Sequence, residues 1–91
     1  MYSRTKRFNR YLLEMCDTEL FAHYNDIMDM FGKIEFLWAM FKKKRLYFFN
    51  KSCVLSFIVH TLQLDYDIKT LKDQARVDSQ FASMTELLEK M

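Results

Sequence analysis

Ninety-one residues suit a single domain and leave no room for a second core. The chain is 51% hydrophobic and 16% aromatic, too apolar for a disordered segment, and with no Pro and one glycine, Gly32, it lacks the turn chemistry of an all-β domain. The formal charge of +2 implies no partner by itself; residues 1–51 carry ten Lys/Arg against six Asp/Glu and residues 52–91 four against six, so the first half permits polyanion contact without demanding it.

In chain order, Ser3 is placed to cap a first helix whose apolar positions Phe8, Tyr11, Leu12 and Met15 follow the spacing of one helical face. Asp17-Thr18 reads as a break and a new N-cap, with Glu19 at the positive end of the next helix. That second helix carries the clearest periodicity of the chain: Leu20, Tyr24, Ile27, Phe31, Ile34, Trp38 and Phe41 step by 4, 3, 4, 3, 4 and 3. The stripe stays in phase past Gly32, which predicts one long helix through about Lys43, bent at the glycine. Asn50 is the expected cap of a third helix, Lys51 to Leu64. There Val54, Leu55, Phe57, Ile58, Val59 and Leu62 cover more than half the circumference, as in the central helix of a domain. Asp65-Tyr66-Asp67 ends it. A last segment, with Ile68, Leu71, Ala75, Phe81, Met84 and Leu88 inward, forms one helix or two joined near Asp73. The expectation is an all-α, compact bundle of four to five helices over residues 1–91, with the helix at about 51–64 in the centre.

The chemistry-bearing residues are few. The longest apolar run is interrupted at Ser56 and ended by His60, well short of the roughly 20 residues of a bilayer span, and MYSRTKRFNRY has no secretory apolar stretch. Cys16 and Cys53 suggest no disulfide scaffold, so a reducing, intracellular setting is expected. Cys16 with His23 and Cys53 with His60 each form Cys-x6-His. Seven helical residues span about 10 Å, too far for two ligands that must both lie about 2.0–2.3 Å from one zinc ion. No metal, no cofactor and no catalytic residues are expected: there is no Gly-rich phosphate loop, no nucleophile elbow, and Asp65, Asp67, Asp73 and Asp78 suit caps and solvated faces. The seven methionines suit a helical core, with an adaptable groove as the alternative.

Two basic groups remain. Arg4, Lys6, Arg7 and Arg10 lie on the first helix, and Lys42, Lys43, Lys44 and Arg45, with Lys51 nearby, follow the end of the second, where cations meet the negative end of the helix dipole. These nine are the candidate nucleic-acid contacts; a solvated charged face is the competing explanation.

Beyond charge, the chain carries a pattern: Met30-Phe31-Gly32-Lys33-Ile34-Glu35, then Trp38, then Arg45-Leu46-Tyr47-Phe48-Phe49-Asn50-Lys51-Ser52-Cys53-Val54-Leu55, then Ile58 and Leu62. It resembles the C-terminal helical part of the poxvirus late transcription factor 3-like proteins of large nucleocytoplasmic DNA viruses. That family's pattern runs Met-Phe-x-x-Ile-Gln, a basic group, Phe-Leu-Ser-Tyr-Ser-Tyr-Val-Leu and an amphipathic helix. Leu71-Lys72-Asp73 and Asp78-Ser79-Gln80-Phe81 resemble its later Leu-Lys-Ser and Asp-x-x-Trp elements, and Asn9-Arg10 an earlier Asn-Arg pair. Lys51 and Cys53 replace two tyrosines, Phe81 replaces the tryptophan, and the paired Cys-x-x-Cys motifs of the family's zinc ribbon are absent.

The resemblance implies a non-catalytic viral late-gene transcription factor. Its partners would be viral RNA polymerase or other transcription proteins, with double-stranded DNA as a second candidate, in the virus factory of the host cytoplasm, in the nucleus or packaged in the virion. The alternative is a small structural or assembly protein, a virion or homo-oligomer component with no nucleic-acid role, suggested by the density of Phe, Tyr and Met.

Overall fold

The computed structural model of the chain describes residues 4–15, 17–41, 48–66, 68–70 and 72–90. Ser3, Cys16, Lys42, Lys43, Lys44, Arg45, Asp67 and Leu71 lie outside the described residues. Five helices follow one another: α1 (Arg4–Met15), α2 (Thr18–Phe21), α3 (Tyr24–Phe41), α4 (Lys51–Thr61) and α5 (Gln74–Leu88). Among the described residues there is no strand, and the fold is an all-α bundle.

The first helix forms as its spacing dictates. Phe8 and Leu12, one turn apart, are buried, and Tyr11 and Met15 flank them half-buried. Asp17 then caps α2, its carboxylate accepting from the Leu20 backbone N–H at 3.0 Å.

The expected long second helix is divided. His23 N–H donates to the Leu20 carbonyl three residues back, the tighter bonding with which a helical turn ends, and α3 restarts with Ile27 N–H donating to His23. Because the interruption is only two residues long, Ala22 and His23, the apolar stripe continues almost in phase across it. Leu20, Ile27, Phe31, Ile34 and Trp38 are buried, joined by Leu37. Phe41 departs from the expectation: it is the last residue of α3 and 46% exposed. Gly32 lies inside α3 with ordinary helical backbone, and a Cβ there would meet nothing within 4 Å, so packing does not require a glycine.

Helix α4 begins where Asn50 caps it, accepting from Ser52 N–H at 3.0 Å, while Asn50 N–H donates to Gln80 Oε1 of α5 at 2.9 Å. Cys53, Val54, Leu55, Phe57, Ile58 and Val59 are all buried, so α4 is apolar around most of its girth and sits against α1, α3 and α5. At roughly 1.5–3 kcal/mol for each large apolar side chain fully buried, this helix and α3, which buries Ile27, Phe31, Ile34, Leu37 and Trp38, both contribute substantially to hydrophobic stabilisation. It ends at Thr61, earlier than the expected Leu64. Gln63 adopts φ 59°, its N–H donates to the His60 carbonyl, and Leu64 N–H donates to that of Val59. These two bonds are the reciprocal pair of a left-handed helix C-cap.

The final segment forms one helix from Gln74, with Asp73 as its cap accepting from Ala75 and Arg76 N–H. Its core face differs from the expected one. Val77, Met84 and Leu87 are buried, Phe81 and Leu88 partly so, whereas Ala75 is exposed. Ile68 is buried but lies in the non-helical connection.

The layout follows from paired contacts. Arg4 meets Trp38, Phe8 meets Phe31 and Asn9 meets Tyr24, so α1 runs antiparallel along α3. Helix α3 also packs on α4 and α5. The Cα radius of gyration is 12.7 Å, close to the roughly 12 Å expected of a compact chain of this length. Among the described residues, no helix is long and apolar enough to cross a membrane.

Candidate nucleic-acid interface

The four cations of α1 do not act alike. Arg4 is exposed like the other three, but it precedes the buried Phe8 by one turn and so borders the side of α1 that packs on α3. Its guanidinium is 4.5 Å from the centre of the Trp38 ring and 5.5 Å from that of Phe48, within the range of cation–π attraction. Thr5 Oγ1 beside it donates to Glu35 Oε1 at 3.3 Å. Glu35 Oε2 and the Trp38 indole N–H, both buried, have no hydrogen-bond partner.

Lys6, Arg7 and Arg10 are exposed on the outward side of α1. Lys6 and Arg10 are one turn apart, about 6 Å along the axis, on one face. Glu14, a turn beyond Arg10, is the one acidic residue of that helix. The N-terminus of α4 supplies a further cation: the Lys51 ammonium lies 5.1 Å from the centre of the Tyr11 ring. Tyr11 follows Arg7 by one turn, so Lys51 borders the Arg7 side of α1. Burial raises the Tyr11 hydroxyl pKa above its ordinary 10.0, with the nearby Cys53 thiol adding to it.

Of the nine predicted contacts, then, the fold gathers Lys6, Arg7, Arg10 and Lys51 along α1 and turns Arg4 onto aromatic rings, while Lys42, Lys43, Lys44 and Arg45 lie outside the described residues. The role of Arg4 was readable only in part: its one-turn spacing from Phe8 was visible, but the meeting with Trp38 and Phe48 depends on the antiparallel packing.

A second feature had no signal in the sequence. Turning α4 at Gln63 brings Leu64, Asp65 and Tyr66 beside Glu19, Leu20 and His23, where they line an open cleft of about 360 Å³. Tyr66 OH donates to Asp17 Oδ2 at 3.1 Å. Among the described residues, no three His, Cys, Asp or Glu side chains are placed to hold a metal ion. Cys53 is wholly buried, whereas His23 and His60 are exposed.

Comparison with protein-family models, with curated proteins and with solved structures finds no match to this chain.

Proposed function

We propose that the chain is a non-catalytic viral late-gene transcription factor, acting through contacts with a viral RNA polymerase and through phosphate contacts with double-stranded DNA. The observation that carries the nucleic-acid limb is the row of exposed cations on α1, Lys6, Arg7 and Arg10, with Lys51 alongside. The polymerase limb rests on the resemblance of Phe48-Phe49-Asn50-Lys51-Ser52-Cys53-Val54-Leu55 to the late transcription factor motif. In this protein those residues cap and fill the central helix. Whatever a zinc ribbon contributes to that family is not carried over, because its cysteine pairs are absent from this sequence.

Salt-titrated binding to duplex DNA tests the nucleic-acid limb. Phosphate contacts predict affinity falling by orders of magnitude between about 50 and 200 mM salt. Absence of binding at the lower salt removes DNA from the function.

One observation favours a second reading, an assembly protein with no nucleic-acid role. Phe36 and Met40, one turn apart on α3, are 64% and 49% exposed, and Phe41 beside them is half exposed. Apolar groups gathered on a surface are what subunit contacts use. Sedimentation at increasing concentration distinguishes the two: self-association abolished by Phe36→Ser supports assembly, and a monomer throughout opposes it.

A further inference from the structure

Gly32 is the one glycine of the chain, and its place in the middle of α3 is not explained by the fold of a single copy. Its backbone is ordinary helix, and a Cβ there would meet nothing within 4 Å. Glycine in a helix interior is less stable than alanine, so the residue costs stability without serving the internal packing. Gly32 is exposed. At 3.6 residues per turn, Asp29, Gly32, Lys33, Phe36 and Met40 share one exposed face of α3, opposite the buried Ile27, Phe31, Ile34 and Trp38. That face carries a large ring, Phe36, one turn from a position with no side chain. We infer that it pairs with the same face of a second copy of this chain, the two α3 helices antiparallel about a two-fold axis and each Phe36 ring seated over Gly32 of the other copy; this rests on the self-association of the assembly reading and gives it a partner and a geometry.

A second copy fits because a two-fold contact uses the same patch on both sides, so the patch must hold both the protruding and the receiving group. Phe36 and Gly32 are four residues apart, about 6 Å along the axis. Turning α3 end over end about the point midway between them exchanges the two, and both contacts form at once. The charges agree with this direction. Lys90 Nζ lies 5.2 Å from the centre of the Phe41 ring, which sets a cation beside the C-terminal end of α3. Asp26 and Asp29 are exposed toward its N-terminal end. An antiparallel pair therefore brings Lys90 of each copy toward Asp26 of the other, on the same side of the helices, whereas a parallel pair sets like charges together. Phe36, Met40 and Phe41 supply the aromatic and methionine content typical of subunit contacts. Helix α1 packs on another side of α3, formed by Phe31, Glu35 and Trp38, so this contact and the α1 cations are different surfaces.

Sedimentation velocity of the full chain over rising concentration tests this. The expected result is a monomer–dimer equilibrium whose dissociation constant rises by about tenfold or more in Gly32→Leu, where the new side chain fills the seat of the Phe36 ring. Circular dichroism and an unfolding midpoint in dilute solution no lower than that of the unaltered chain exclude misfolding of this variant. Charge exchange tests the direction independently of Gly32: Asp26→Lys and Lys90→Glu should each weaken the dimer, and the two together in one chain should restore it. A dimer equally tight in a folded Gly32→Leu, single charge variants that the double does not rescue, or a species larger than a dimer overturns this pairing and leaves the assembly reading standing. A monomer at every concentration overturns both.

Discussion

The Arg4 guanidinium lies 4.5 Å from the centre of the Trp38 ring, a cation–π contact of the kind that Lys51 makes with Tyr11 at 5.1 Å. A cation over a ring at a site open to water contributes about 0.5–1 kcal/mol. Arg4→Gln is expected to lower stability by about that amount in urea unfolding, with Arg4→Lys recovering part of it. Neither change should alter the salt dependence of DNA binding. A salt slope shallower by about one unit in Arg4→Gln would return Arg4 to the phosphate contacts.

Gln63 closes α4 in the left-handed region, at φ 59°. That conformation costs an L side chain about 1–2 kcal/mol and glycine almost nothing. Its two cap bonds come from backbone N–H groups and survive the change. Gln63→Gly is therefore expected to raise stability by about 1 kcal/mol, read as a higher midpoint in thermal or urea unfolding. A loss of stability would mean that the Gln63 side chain contributes something the backbone geometry does not reveal.

Leu55 and Phe36 are both large and apolar, yet they should respond oppositely to truncation. Leu55 is fully buried in α4, and Leu55→Ala is expected to cost about 2–5 kcal/mol, a large share of the stability of a domain this small. Phe36 is 64% exposed, and Phe36→Ser should stay within about 1 kcal/mol. Equal losses in the two variants would place Phe36 in an interface that the isolated chain does not display.

How far these features could be read in advance depends on where each is determined. Asn50 and the apolar run behind it are local, and both the cap and the burial of α4 follow from them. Asp73 is likewise a local cap signal, and α5 begins beside it. The division at Ala22–His23 was hidden because two non-helical residues barely shift the phase of Leu20 against Tyr24 and Ile27. Ile68 misled in the opposite way: buried without being helical, it drew the expected face of the last helix toward Ala75, when Val77, Met84 and Leu87 carry it. At the candidate site, exposed cations could be listed from sequence. Which of them turn onto rings is decided by tertiary packing, in which Trp38 and Phe48 reach α1 from more than thirty residues away.

Asp17 gives the acid dependence a definite sign. Its pKa is lowered from the usual 3.8, first by the Leu20 N–H that its carboxylate caps, against an opposing effect of desolvation, and then by the Tyr66 hydroxyl. A carboxylate lowered on folding contributes stability above its unfolded pKa and loses it as pH falls through the folded value. Asn caps helices about as well as Asp but does not titrate. Asp17→Asn should therefore leave the neutral-pH stability nearly unchanged and flatten the decline below about pH 4. An unaltered acid limb in the variant would assign the decline to other carboxylates.

The most direct test of the proposed role in viral transcription through contact with the polymerase is affinity purification of the tagged full chain from infected cells, with nuclease treatment to remove nucleic-acid bridging. Viral RNA polymerase subunits should be recovered in stoichiometric amount and retained after the nuclease. Recovery of capsid or other virion structural proteins without polymerase would contradict it.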